Sequence, residues 1–148
     1  MRVVIQRVNY GKISVDNNLI ASINKGLAVF VGVEKDDLLK DIYTTAKKIN
    51  GLRVIEDDSG RMMFALSDTD ELLLIPQFTL LGSIKNGLRP DFTQAEEPEK
   101  AKELFIQLVK ILRDKFGKIV KEGRFGEHMI IDLEIDGPVT ILFDSRVQ

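Results

Sequence analysis

Seven consecutive residues constrain this chain more than any others. Leu27-Ala28-Val29-Phe30-Val31-Gly32-Val33 is a continuous apolar run, opened by the punctuation of Gly26. A strand with one wet face alternates apolar and polar residues, whereas an unbroken run reads as a strand buried on both faces. Such a strand needs a layer packed on each side, so the rest of the chain must supply two of them. Of the 148 residues, 44% are hydrophobic and 30% charged, which fits one soluble globular domain over residues 1–148.

Strand-like segments flank the run. Arg2–Val8 alternates loosely. Lys12–Val15 and Leu19–Ile23 bracket Asp16-Asn17-Asn18, a tight hairpin turn by composition, because Asn tolerates positive φ. After the run, Leu38, Ile42, Ala46 and Ile49 recur at helical spacing, with Leu39 and Tyr43 beside them. Asp36 or Asp37 is placed to cap that helix, and Asn50-Gly51 to end it. Leu52–Ile55 reads as strand, Asp57-Asp58-Ser59-Gly60 as a turn, and Glu71–Ile75 as another apolar strand.

A second helix is expected from Pro98, with Ala101, Leu104, Phe105, Leu108, Ile111, Leu112 and Phe116 as its stripe and Gly117 as its stop. Ile119–Lys121, Met129–Ile135 and Val139–Phe143 return to strand. The expected fold is α+β: mostly antiparallel sheets in a barrel-like or two-sheet core, with two main helices.

Composition removes several chemistries. Without cysteine there is no disulfide, thiolate metal site or cysteine nucleophile. A single histidine, His128, rules out a zinc site built on several imidazoles. His128 reads as a surface or packed residue, because no carboxylate stands at a spacing that would orient it as a base. Asp57-Asp58 lacks the further acids of a calcium loop. No apolar run is long enough to span a bilayer, and the first residues lack the layout of a signal peptide. The net charge of −2 gives no global nucleic-acid signature. Lys85 and Arg89 share one loop, and Arg113, Lys115, Lys118, Lys121 and Arg124 read as solvated helix and strand faces.

Two segments stand out from plain scaffold. In Ile75-Pro76-Gln77-Phe78-Thr79-Leu80 an apolar strand runs into a proline, then an aromatic residue between two polar ones. Continued as a strand, Gln77 and Thr79 point one way and Phe78 the other. The segment reads either as an edge strand with a polar face or as a strand end whose N–H groups hold a polarised carbonyl. In Leu133-Glu134-Ile135-Asp136-Gly137-Pro138-Val139-Thr140, a Gly-Pro pair interrupts good strand residues. It reads either as a turn between two hairpin strands or as a backbone device whose carbonyls touch a ligand. In a cis bond the flanking carbonyls swing to one side, where two acceptors can grip an ammonium group.

The chain resembles the D-aminoacyl-tRNA deacylase (D-tyrosyl-tRNA deacylase) family nearly end to end. The resemblance runs through Met1–Val8, Gly26-Leu27, Leu52–Asp57, Gln77-Phe78-Thr79-Leu80 and Gly87-x-Arg89-Pro90-x-Phe92. It continues in Gly123-x-Phe125-Gly126, Gly137-Pro138-Val139-Thr140 and Asp144-Ser145-Arg146. It implies a cytoplasmic homodimer without metal or cofactor. Its partner is aminoacyl-tRNA, whose D-aminoacyl or glycyl ester it cleaves. Gly137-Pro138 is then a chirality filter that reaches the partner's pocket, binds the α-ammonium and rejects L side chains.

Gln77, Phe78 and Thr79 become the catalytic segment through main-chain donors, while the substrate's own 2′-hydroxyl helps activate water. Arg7 supports the Gly-Pro segment. Phe125 and Met129 line the adenosine pocket, and Lys85 and Arg89 meet phosphates. Two residues depart from the family pattern: Pro76 stands where Ser is usual, and Ile135 where Asn is usual. They open a second reading, a tRNA-binding dimer that keeps the fold but has weak or altered hydrolysis.

Overall fold

The structure, a computed structural model, describes residues 1–147. Its elements run β1 (Arg2–Val15), β2 (Asn18–Ile23), β3 (Gly26–Gly32), α1 (Leu39–Gly51), β4 (Ile55–Glu56), β5 (Met62–Phe64) and β6 (Glu71–Pro76). A 3-10 turn (Phe78–Leu81), α2 (Pro98–Lys110), β7 (Ile119–Glu122) and β8 (Ile130–Asp144) follow. The large sheet has the order β2-β1-β3-β6-β7, with β8 also paired to β1; β4 and β5 form a separate small sheet.

β1 organises the sheet. Its residues Arg2–Val8 pair antiparallel with β3, Gly11–Val15 pair with β2, and β8 runs antiparallel along nearly its whole length. The hairpin turn falls at Asp16 and Asn17, both at positive φ. A sheet bent this way nearly closes into a barrel. β3–β6 and β6–β7 are parallel pairs, because each connection carries a helix and so crosses over rather than turning back.

The β3 run is buried on both faces. Leu27, Val29 and Val31 pack with Ile42, Ala46, Leu104 and Leu108 beneath the helices. Ala28 packs with Val8, Ile13, Leu73 and Ile75 inside the curl. Burying each large side chain of this kind contributes about 1.5–3 kcal/mol. β3 and β6 approach so closely at Gly26 that a Cβ there would lie 1.8 Å from Glu71 O, so only glycine fits.

Both expected helices are present. α2 runs on through a wider turn at Ile111–Lys115 and stops at Gly117, φ +63°. Some local expectations fail for identifiable reasons. Neither Asp36 nor Asp37 caps α1. Asp37 is fully buried, taking the Met1 ammonium at 2.8 Å and the Glu34 N–H at 2.7 Å. Leu38 is the N-cap residue, and its N–H bonds Asp41 Oδ2 at 2.9 Å. The buried stripe starts at Ile42; Leu38, Leu39 and Tyr43 are exposed. The strand expected over Leu52–Ile55 shrinks to Ile55–Glu56, held only by β5. No helix among the described residues is long and apolar enough to cross a membrane.

Candidate functional site

Strand β6 ends at Pro76, opposite Val31. Its partner β7 pairs only as far as Leu74, so the missing proline N–H removes no bond from that ladder. The Gln77 N–H donates to Val31 O at 2.8 Å, and the chain then closes into the 3-10 turn. Leu80 N bonds Gln77 O at 3.4 Å, and Gly82 N bonds Thr79 O at 3.0 Å. Leu81 anchors the turn in the core, against Gly32, where a Cβ would lie 2.4 Å from Leu81 Cδ2.

The alternation expected for Gln77, Phe78 and Thr79 is therefore absent, and so is the edge strand, since β6 lies between β3 and β7. The first N–H groups of any helical turn lack partners within it. Here the Phe78 and Thr79 N–H groups bond no carbonyl of the described residues, while the Gln77 donor is engaged.

Beside this turn opens a cavity of about 380 Å³ walled by Pro76, Gln77, Phe78, Phe92, Pro98 and Phe125. Phe78 and Phe92 meet edge to face, with ring centroids 5.2 Å apart. Such mostly apolar walls with a few donors suit a small planar group. Glu96 and Glu97 stand at the rim. The bond from Lys100 Nζ, 2.6 Å away, holds the Glu96 carboxyl below its ordinary value, so it is an engaged carboxylate rather than a free base. The Thr79 hydroxyl bonds no side chain among the described residues. His128 is exposed and outside the cavity wall.

The Gly137-Pro138 segment is not a hairpin turn. β8 continues through it and pairs with β1 on both sides. Between Gln6↔Thr140 and Val8↔Ile135, β1 advances by two residues and β8 by five, so the excess bulges outward. Gly137 and Pro138 are exposed, the peptide bond between them is cis, and Gly137 has φ +122°.

Behind the bulge lies Arg7, 6% exposed. Its Nη1 donates to Val54 O at 2.7 Å, and Nη2 meets Glu56 Oε1 at 3.0 Å. Nε lies 2.9 Å from Asp136 Oδ2, an ion-pair contact off the N–H axis. One buried guanidinium thus ties β1 to the residue before Gly137. Ile135 is exposed, at the last paired position before the bulge.

The two segments do not meet within one chain. The bulge lies beside Arg7, which pairs with Leu27, whereas the turn follows Pro76, which pairs with Val31. Four strand residues separate these positions, about 13 Å. The cavity gathers Pro76, Gln77, Phe78 and Phe125, with Thr79 adjoining. It leaves out Lys85 and Arg89, on an exposed loop, and Met129, which packs against the core inside the curl. Phe92 is a wall residue that pattern reading assigned no role; its place in the Arg89-Pro90-x-Phe92 motif was the available signal. Ala95 and Pro98 gave none.

The curled sheet carries an aromatic cavity beside a turn whose Phe78 and Thr79 N–H groups bond no carbonyl of the described residues, the geometry of a protein that can hold a small group. Residues 4–144 match the family model described as D-Tyr-tRNA(Tyr) deacylase, and the chain belongs to that family. It is 46% identical over 147 residues to a D-aminoacyl-tRNA deacylase of Clostridium perfringens, covering 99% of this chain and 98% of the relative. A Thermotoga petrophila protein of that name is also 46% identical, over 98% of this chain and 97% of its own. Among solved structures, the c-Myc DNA Unwinding Element Binding Protein superposes with a TM-score of 0.90 at 33% identity, covering 97% of this chain and 98% of its own. A probable eukaryotic D-amino acid tRNA deacylase shares the fold, with a TM-score of 0.74 at 19% identity over 96% of this chain and 97% of its own.

Proposed function

We propose that the protein hydrolyses the ester of D-aminoacyl-tRNA, and of mischarged glycyl-tRNA, as a cytoplasmic homodimer without metal or cofactor. The terminal adenosine sits in the aromatic cavity, between Phe125 and the Phe78–Phe92 pair. The Phe78 and Thr79 N–H groups receive the carbonyl oxygen as it gains charge during water attack. Donors fixed in advance do this best, because nothing reorganises as the charge forms. The substrate's 2′-hydroxyl assists the water, and Thr79 orients rather than attacks. The Gly137 and Pro138 carbonyls, from the other subunit, receive the α-ammonium. With that group fixed, an L side chain runs into the bulge, a D side chain points away, and glycine has nothing to reject.

The observation that carries this reading is the separation of the two segments. The turn has free donors beside a cavity, and the exposed bulge stands about 13 Å along the sheet, so a second copy is needed to bring them together. The Arg7 clamp supports it, since a filter must hold its shape.

The test is ester loss from D-tyrosyl-, L-tyrosyl- and glycyl-tRNA. Release from the D and glycyl forms alone, by a protein of dimer mass, is the expected result. Equal release of both tyrosyl enantiomers refutes the filter. Pro76, which lines the cavity without an N–H, favours a second reading: binding with weak turnover. A large rate gain in Pro76→Ser selects that one.

A further inference from the structure

The basic cluster between Arg113 and Arg124 divides by what each cation already holds. Arg113 is structural: its Nη2 donates to Val120 O at 2.7 Å, and Nη1 faces Glu122 at 3.7 Å. Lys115 lies over the Tyr43 ring, 4.4 Å from its centroid, and Lys118 donates to Leu66 O at 3.1 Å. Lys121 and Arg124 are different. Lys121 has no hydrogen bond or ion pair among the described residues. Arg124 has only a 3.5 Å contact with Glu127, also exposed. Lys102, from the exposed side of α2, joins them, likewise without a partner among the described residues.

These three cations, together with Arg113 and its partner Glu122, line a groove of about 660 Å³ between the edge of β2, the flank of α2 and the end of β7. Its charge stands out on a chain whose net charge is −2. The groove adjoins the cavity: Phe125 lines both, one beside Arg124 and the other beside Gly126. Gly123 makes the junction close. A Cβ there would lie 2.7 Å from Met129 Sδ and 3.3 Å from Pro76 Cδ, so the chain just after β7 lies against the Pro76 wall of the cavity. Phe125 is thus a wall shared by the cavity and the groove, so the groove lies next to whatever fills the cavity.

We infer that this groove seats the sugar–phosphate chain next to the tRNA's terminal nucleoside, with Lys102, Lys121 and Arg124 as its phosphate contacts. The inference rests on the deacylase reading for the identity of the polymer. Three exposed cations along one channel, two of them unpaired among the described residues and the third in a single 3.5 Å contact, form the electrostatic footprint of a nucleic-acid backbone. Lys85 and Arg89 become secondary, because neither lines the cavity or the groove.

The test compares wild type with Lys102→Ala/Lys121→Ala/Arg124→Ala. The control is Lys40→Ala/Lys47→Ala/Lys48→Ala, which removes equal charge from α1. Non-acylated, fluorophore-labelled tRNA is titrated between 50 and 200 mM KCl, and hydrolysis is followed with D-tyrosyl-tRNA and with the small ester D-tyrosyl-adenosine. The groove variant should bind tRNA at least tenfold more weakly at low salt, with a salt slope reduced by roughly 0.7–0.9 per lost phosphate contact. It should cleave the small ester at the wild-type rate; the control should change little. An unchanged affinity and slope, an equal loss in the control, or an equal loss on the small ester overturns the groove. If wild type cleaves neither ester while the groove variant still loses tRNA affinity, the deacylase reading falls and the groove stands.

Discussion

Two short segments break the regularity of the sheet, and they are held in opposite ways. The Gln77–Leu81 turn ends a strand inside a packed core. Its shape comes from main-chain bonds to Val31 and from Leu81 seated against Gly32. The Gly137-Pro138 bulge interrupts a strand without ending it. Its own residues are exposed, and a single buried cation, Arg7, fixes it from behind. The turn is thus a product of packing and the bulge of electrostatics. The first should respond to volume, the second to charge.

A charge change elsewhere provides the reference point. At the far end of β8, Met1 and Asp37 form an ion pair with both groups fully buried. Asp37→Asn leaves the ammonium without its main counter-charge and should cost about 3 kcal/mol, the low end for breaking a buried pair. Denaturant melts should show that loss while D-over-L selectivity stays intact; lost selectivity would mean that the two ends of β8 are not independent.

Arg7→Ala comes next. It should lower kcat/KM on D-tyrosyl-tRNA about a hundredfold, about 2.7 kcal/mol, and raise release of the L ester. Its stability loss should be smaller than that of Asp37→Asn, because Asp136 and Glu56 are 38% and 43% exposed and can be rehydrated. Gly32→Ala tests the packing side. Pushing on Leu81 should cost about 1–3 kcal/mol and lower kcat with selectivity retained. Loss of selectivity there would erase the contrast between turn and bulge.

The smallest effect belongs to Asp41, beside the Met1 pair. Burial is the largest single influence and raises its pKa. Bonds from the Leu38 N–H and the Ser145 hydroxyl, with the Met1 ammonium, outweigh it and hold the group below its ordinary value of 3.8. A carboxyl lowered by folding gives stability above its unfolded pKa and loses it as pH falls through the folded one. Asp41→Asn should therefore lower stability at neutrality, flatten the acid limb of the stability profile below about pH 4, and change little at pH values where Asp41 is already protonated.

Much of this architecture was legible from patterning. The β3 run, the Ile42–Ala46–Ile49 stripe and the α2 stripe follow from periodicity, because a buried face must repeat with its element. The failures share one cause. Asp37 looked like a cap, but the chain start folds back onto it. Phe78 looked like a strand residue, but a core anchor three residues later, Leu81, closes the chain into a 3-10 turn. Of the two readings of the Gly-Pro pair, the hairpin turn fails because both flanks pair with the same strand. Each outcome depends on a partner remote in sequence.

By itself, the sequence determined which strand is central, where both helices lie, and that neither a thiol nor a cluster of histidines does chemistry here. Tertiary structure alone decided that the Gln77 donor is engaged while those of Phe78 and Thr79 are open. It also decided that the turn and the bulge occupy opposite ends of β3, and that Lys102, Lys121 and Arg124 share one groove. Periodicity reports which face of an element is buried; donors, clamps and charge patches depend on what the fold sets against that face.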